Sequence, residues 1–289
     1  MFKDKQGNTW YKVGLHIHTT LSDGRKSPEE MAEIYKNAGF DAVAITDHWK
    51  FYPEGGINGL SILSGCEYNI GTADCIEGVM HIVGLGMHAD PSIPRDADAQ
   101  AIIDGIKKAG GLAILAHPAW SLNTVEETKR LNGFFGTEIY NTVSGINQSD
   151  RPYSGHFADS LANQGICFPL LATDDTHYYD GNDETKSFVY IKAESNRPQA
   201  LLSALQKGDF FSSQAPWLSI EKQEDKIKLT TSPCSKIVFF SNASFAPDRI
   251  VRGENLTEAV YPLKPFEKWV RVEVTDQKGN CAWSNYITL

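Results

Sequence analysis

The sequence has no apolar run approaching the ~18 residues that a membrane span requires, and its opening stretch, MFKDKQGNTWYKVG, contains no apolar block of the secretory kind. Both absences point to the cytoplasm. Cysteine is sparse: Cys66, Cys75, Cys167, Cys234 and Cys281 are odd in number and form no CxxC pair. That argues for reduced, mostly buried thiols rather than disulfides or zinc ligands. Internal repeats and low-complexity segments are also missing. Basic residues are outnumbered by acidic ones, for a formal net charge of −9. The excess lies in residues 1–208, with 17 Lys and Arg against 26 Asp and Glu, whereas residues 209–289 carry 10 of each. An acidic surface disfavours extended nucleic-acid binding, which needs clustered Lys and Arg, and favours small or short substrates.

What is present is globular: 289 residues, 41% hydrophobic and 22% charged, about two domains' worth of chain. Strand-like runs alternate with helical patterns over the first two hundred residues: LHIH, DAVAIT, SILSGCEYNI, VMHIVGLG, LAILAH, TEIYN, FPLLAT and SFVYIKA. Ser27-Pro28-Glu29-Glu30 reads as a helix start with proline in the first turn, and Lys36-Asn37-Ala38-Gly39 as the matching stop. The alternation predicts an α/β fold built on a largely parallel sheet or barrel. After a helix near Arg197 to Lys207 the pattern becomes β-rich, with WLSIEKQ, KIKLTTS, KIVFFSN, WVRVEVTD and CAWSNYITL. We therefore expect a boundary near Gly208–Pro216, dividing residues 1–208 from a small antiparallel β-sandwich at 209–289.

Six of the eight histidines fall in one series with acidic residues, mostly at the ends of these strands: His16 and His18, Asp23, His48, Glu67, His81, His117, Asp175 and His177. Side chains alternate along a strand, so His16 and His18 share a face, as do Asp175 and His177. Each pair is a potential chelate, and the series reads as a multinuclear metal site. Milder readings exist for single members. His81 lies inside an apolar run and also suits a hydrogen-bonded core histidine, and Asp23, before Gly24, suits a turn. Asp47 is expected to orient His48 or cap a loop. His88 and His156 lie outside the series.

In their order, HIHTTLSDG, AITDH, the Glu after a hydrophobic strand, HIVGLG, AHP and the closing Asp-x-His resemble the PHP (polymerase and histidinol phosphatase) metallohydrolases over roughly residues 12–180. Glu138-Ile139-Tyr140-Asn141, ATDDTH and Gly208-Asp209-Phe210-Phe211-Ser212-Ser213 look most like the branch that includes carbaryl hydrolase. The resemblance implies a distorted seven-fold β/α barrel holding two or three divalent metals. It assigns His16, His18, Glu67 and Asp175 to one metal, Glu67, His81 and His117 to a second, and Asp23, His48 and His177 to a third. The family's Asp lies two before its His, which selects Asp175 and leaves Asp174 behind it. Imidazole and carboxylate together suit zinc, manganese and iron alike.

The function this implies is hydrolysis of a small phosphate ester by a metal-bridging hydroxide, with Glu67, Asp175 and His177 as the catalytic residues. Arg151, Lys50 and His156 are candidate substrate-binding residues, each equally readable as solvated surface. A carboxyl-ester or carbamate hydrolase with the same centre is the alternative. A catalytically silent metal-binding module is a third reading, against which the intact ligand set speaks.

Overall fold

The computed structural model describes residues 1–4, 6–71, 78–179 and 181–289; Cys75 lies outside them. In chain order the elements are β1 (Phe2–Lys3), β2 (Thr9–Gly14), α1 (Pro28–Asn37), β3 (Ala42–Ala44), β4 (Gly55–Ile57), β5 (Leu60–Leu63), β6 (Gly65–Ile70), β7 (Met80–Leu85), α2 (Ala99–Lys108), β8 (Leu112–Leu115), α3 (Pro118–Ser121), α4 (Val125–Lys129), β9 (Phe134–Asn141), a π-helix (Ser144–Gln148), α5 (Gly155–Ala162), β10 (Leu170–Thr173), β11 (Phe188–Lys192) and α6 (Pro198–Gln206). There follow β12 (Phe210–Ser213), β13 (Leu218–Lys222), β14 (Lys226–Ser241), β15 (Ile250–Pro262), β16 (Trp269–Thr275), β17 (Cys281–Trp283) and β18 (Ile287–Thr288). Helix α1 begins where its sequence signals it. The Ser27 hydroxyl accepts the Glu30 N–H at 3.2 Å, and the Glu30 carboxylate accepts the Ser27 N–H at 2.9 Å. Gly39 then ends it with a φ of 77°.

The fold is mixed α/β. Strands β2, β3 and β5 run parallel in one sheet, and β8, β9 and β10 run parallel in a second. The expectation of a largely parallel arrangement fails at β7, which is antiparallel to both β6 and β8. Residues 71–79 between β6 and β7 are fewer than the dozen or so that a parallel crossover needs, so the chain must turn back. The reversal has a functional effect: the N-terminal end of β7, with His81, lies at the same edge as the C-terminal ends of its neighbours. Among the described residues, continuous strand pairing does not close the two sheets into a barrel. They meet at two isolated parallel bridges, Ile17↔Thr176 and His48↔Glu67. Gly65 allows the second approach, since a Cβ there would stand 2.6 Å from the Ile45 carbonyl oxygen. Between the sheets lies an apolar core that includes Val13, Leu15, Ala44, Leu63, Val83, Ile114 and Leu171, with Leu201 and Leu205 from α6.

Strands β12 to β18 pair antiparallel and extend the first sheet, through β12 on β11 and β11 on β2. Strand β14 shifts register between Thr230 and Lys236. Its first part pairs with β13 and its second with β16, so the ribbon folds around a separate apolar cluster that includes Ile227, Phe239, Tyr261 and Val272. These strands meet α5 through charge. Arg271, fully buried, donates from Nε and Nη2 to the Asp159 carboxylate at 2.7 Å each. Glu273 accepts the Tyr153 hydroxyl at 2.7 Å and the Trp283 indole N–H at 3.0 Å. Among the described residues no helix is long and apolar enough to cross a membrane. Cys66, Cys167, Cys234 and Cys281 are free thiols, and burial pushes Cys66 up to about 12, as expected of an inert core thiol.

Candidate metal centre

The nine residues of the sequence series converge at one edge of the two sheets. His16 and His18 follow β2, His48 follows β3, His117 follows β8, and Asp175 and His177 follow β10. Glu67 is within β6 and buried at their centre. The loop carrying Asp23 folds tightly against His18 because residue 24 is glycine; a Cβ there would lie 2.5 Å from the His18 carbonyl oxygen. Asp47 is what holds this loop, accepting the Thr19 N–H and hydroxyl at 2.8 and 2.6 Å and the Ser22 N–H and hydroxyl at 3.0 and 2.7 Å. Of its two expected roles, the loop cap is therefore the one observed. Asp174 faces away from the centre, accepting the Tyr35 and Thr142 hydroxyls and the Lys186 and Ser187 N–H groups. Burial raises it to about 6.

The inner four residues fit a cation. Nε2 of His16 lies 3.4 Å from Glu67 Oε2 and 3.2 Å from Asp175 Oδ1, and Nε2 of His18 lies 3.1 Å from each. The two imidazole Nε2 atoms are 3.2 Å apart. Tetrahedral ligation with bonds of about 2.0–2.1 Å sets donor atoms about 3.3 Å apart, the spacing found here. Asp175 Oδ1 is buried yet has no hydrogen-bond partner, as a ligand atom facing a cation would be. A second grouping joins Glu67 Oε1 to His81 Nδ1 at 3.0 Å and to His117 Nε2 at 3.3 Å. A third gathers His18, Asp23, His48 and His177, with His177 Nε2 3.3 Å from Asp23 Oδ2. His48 spans the last two, with Nδ1 3.1 Å from Glu67 and Nε2 3.8 Å from Asp23.

The electrostatics show what the centre demands. Burial alone would lower His16 and His18, but the carboxylates of Asp175, Glu67 and their neighbours outweigh it and hold both well above the usual imidazole value. Burial alone would raise Glu67, which the surrounding imidazoles, His16 foremost, hold well below the carboxylate range. His48, half-buried and facing His18 and His81, falls to about 4. The buried carboxylates therefore call for positive charge among these donors, which a divalent cation would supply.

Two residues that orient this geometry were not among the expected site residues, although Glu138 opens one of the family-like motifs. Glu138 on β9 accepts from His16 Nδ1 at 2.7 Å; a carboxylate only accepts, so the ring is turned with its Nε2 lone pair inward. Its other oxygen accepts the His117 N–H and the Asn141 amide, each at 2.8 Å, fixing a left-handed His117 backbone of φ 29°. Asp183 accepts the His177 N–H at 2.7 Å, while His177 Nδ1 donates to the Asp175 carbonyl at 2.9 Å and leaves Nε2 for the site. Glu138→Gln should weaken zinc or manganese affinity by about 10–100-fold without unfolding the chain. Competition against a chelating dye measures this, and unchanged affinity would refute the orienting role.

The cleft over these groups has a volume of about 170 Å³ and is lined also by Trp120, Gln148 and Tyr179. Trp120 packs against the His81 and His117 rings at 5.5 and 5.0 Å, and Tyr179 stacks on His177 at 5.1 Å. Lys50, Arg151 and His156 are exposed and stand outside this lining.

Residues 14–149 match the family model of the PHP domain. Over 120 residues the chain is 32% identical to an uncharacterized protein of Methanocaldococcus jannaschii, covering 37% of this chain and 67% of that protein. Among solved structures, a two-domain protein of Bacteroides vulgatus containing a predicted PHP-like metal-dependent phosphoesterase superposes with a TM-score of 0.57 at 15% identity. The match covers 100% of this chain and 97% of that one, a likeness of fold that extends over the C-terminal strands.

Proposed function

The chain belongs to the PHP domain family, and on that premise we propose that it is a metal-dependent phosphoesterase acting on a small phosphate ester in the cleft. The observation that carries this is the set of 3.1–3.4 Å spacings among His16, His18, Glu67 and Asp175, a ready set of metal ligands. His16, His18, Glu67 and Asp175 would hold one divalent ion; Glu67, His81 and His117 a second; and Asp23, His48 and His177 a third. Zinc, manganese and iron all suit these donors. Such ions, when bound, lower the pKa of coordinated water and offset charge developing on phosphoryl oxygens. The chain's own part is to fix the donors. Glu138 and the Asp175 carbonyl set the imidazole tautomers, Asp47 secures the Asp23 loop, and Trp120 and Tyr179 wall the cleft against water.

We further read the ring β2, β3, β6, β7, β8, β9, β10 as a distorted seven-stranded barrel, with the bridges Ile17↔Thr176 and His48↔Glu67 supporting its two seams. Residues 209–289 would form a second unit on its flank. A carbonyl ester or carbamate substrate is the second reading. It is favoured by one observation, that no lysine or arginine is among the described residues lining the cleft.

The two readings separate at His177. A transferring phosphoryl group spreads charge over three oxygens, so a third cationic position matters to it, whereas a carbonyl develops one oxyanion. With manganese, zinc or iron supplied, the wild type should hydrolyse members of a panel of phosphomonoesters and phosphodiesters. His177→Asn should cut phosphomonoester hydrolysis by roughly a hundred-fold or more and spare aryl-ester turnover. Ester turnover without phosphate release from any compound tested would favour the second reading.

A further inference from the structure

Residues 142–152 form a loop with both feet on the end of β9. The Asn141 N–H donates to the Pro152 carbonyl and the Ser154 N–H to the Ile139 carbonyl, each at 2.9 Å, and Tyr140 bridges Tyr153. The first foot touches the metal centre: Asn141 Nδ2 donates to Asp175 Oδ2 at 3.1 Å, and its Oδ1 accepts the Ser144 N–H at 3.1 Å and hydroxyl at 2.7 Å. The second foot touches the C-terminal strands. Tyr153 donates its hydroxyl to Glu273 and accepts from Arg271 Nη2 at 3.2 Å, and its ring occupies the space that a side chain at Gly155 would fill. Between the feet, the loop rises through the π-helix, a rare geometry that recurs at functional sites, and ends it at Gln148, whose exposed side chain reaches into the cleft. Among the described lining residues Gln148 is the one neutral amide, able to donate and accept at once.

Building on the phosphoesterase reading, we infer that Gln148 contacts the substrate and that Tyr153 is the positioning residue through which the C-terminal strands hold Gln148 over the metal cleft. Among the described side chains of the π-helix none is fixed to those strands; the Tyr153 hydroxyl is the tie, and its partners Glu273 and Arg271 are themselves locked by Trp283 and Asp159. The substrate class that follows is a phosphate ester whose alcohol part carries a hydrogen-bonding group, such as a hydroxyl, for the amide to meet. The C-terminal strands then contribute to recognition while supplying no metal ligand.

The test is a double-mutant cycle on the full-length, manganese-loaded protein, using Tyr153→Phe, Gln148→Ala and the pair. Readouts are kcat and KM for glycerol 2-phosphate, and the affinity of the non-hydrolysable phenylphosphonate and of glycerol 2-phosphonate analogues by calorimetry. Tyr153→Phe should raise KM for glycerol 2-phosphate about five-fold, the worth of one hydrogen bond, with kcat and metal content unchanged. In the Gln148→Ala background the same change should add nothing, and phenylphosphonate, which lacks the hydroxyl, should bind all variants alike. Additive effects, a loss of kcat accompanied by metal, or an unchanged KM in Tyr153→Phe would overturn the inference. Should the wild type hydrolyse no ester yet bind the hydroxylated phosphonate with the same non-additivity, the enzymatic reading fails and the Tyr153–Gln148 coupling stands. Failure to bind either phosphonate overturns both.

Discussion

Glu67→Gln is expected to lower ester hydrolysis by at least about a thousand-fold and to strip metal from the protein, with the fold retained. The glutamate is surrounded by nitrogens of five imidazoles, those of His16, His18, His48, His81 and His117, at 3.0 to 3.4 Å. Both of its oxygens are used, Oε2 toward His16, His18 and His48 and Oε1 toward His81 and His117, so it belongs to two groupings at once. Glutamine keeps the shape but brings no charge and places an amide NH2 where one grouping needs an acceptor. Elemental analysis after reconstitution should fall below one equivalent of metal per chain, and far-ultraviolet circular dichroism should be unchanged. A variant with full metal content and full activity would place the reaction elsewhere.

The second large effect concerns stability. Arg271→Met should destabilise the chain by about 3 kcal/mol, because it leaves the partly buried Asp159 carboxylate, and Glu273 at 3.6 Å, without their buried cation. Adding Asp159→Asn should restore part of the loss by removing the stranded charge. Denaturant titration of the single and double variants measures both quantities. A loss under about 1 kcal/mol for Arg271→Met would mean that water reaches the network and screens it.

These two residues also mark how far the sequence could be read. Glu67 was legible because a carboxylate at the end of an apolar run stood in order with five other strand-end motifs. Arg271 was not: in Trp269-Val270-Arg271-Val272-Glu273-Val274 the alternation marks a solvent face and a core face, whereas the structure buries both, since Asp159, Tyr153 and Trp283 cover the polar one. Glu138 was visible only as part of the motif Glu138-Ile139-Tyr140-Asn141, and its orienting role was hidden because its partner His16 is distant in the chain. The reversal of β7 does not show in its period-two pattern, which reads the same in both directions; only the short connection from β6 signals it. Pairing partners are likewise unspecified by periodicity, so the extension of the first sheet by β12 and β17 required the fold itself. The loose candidates Lys50, Arg151 and His156 rested on charge and proximity in sequence, neither of which aims a side chain.

The bridge Ile17↔Thr176 and the pairing of β2 with β11 have a kinetic consequence. Glu138, which turns the His16 ring, follows it by 122 residues, and at about 5–20 residues per second a ribosome needs roughly 6–25 s to deliver it. Through that interval the nascent chain exposes His16 and His18 as an incomplete, unoriented chelate beside an unpaired β2 edge, open to the wrong metal and to the wrong strand. Folding that depends on such distant contacts is slow, and the inner donor set is complete only once the later strands have paired.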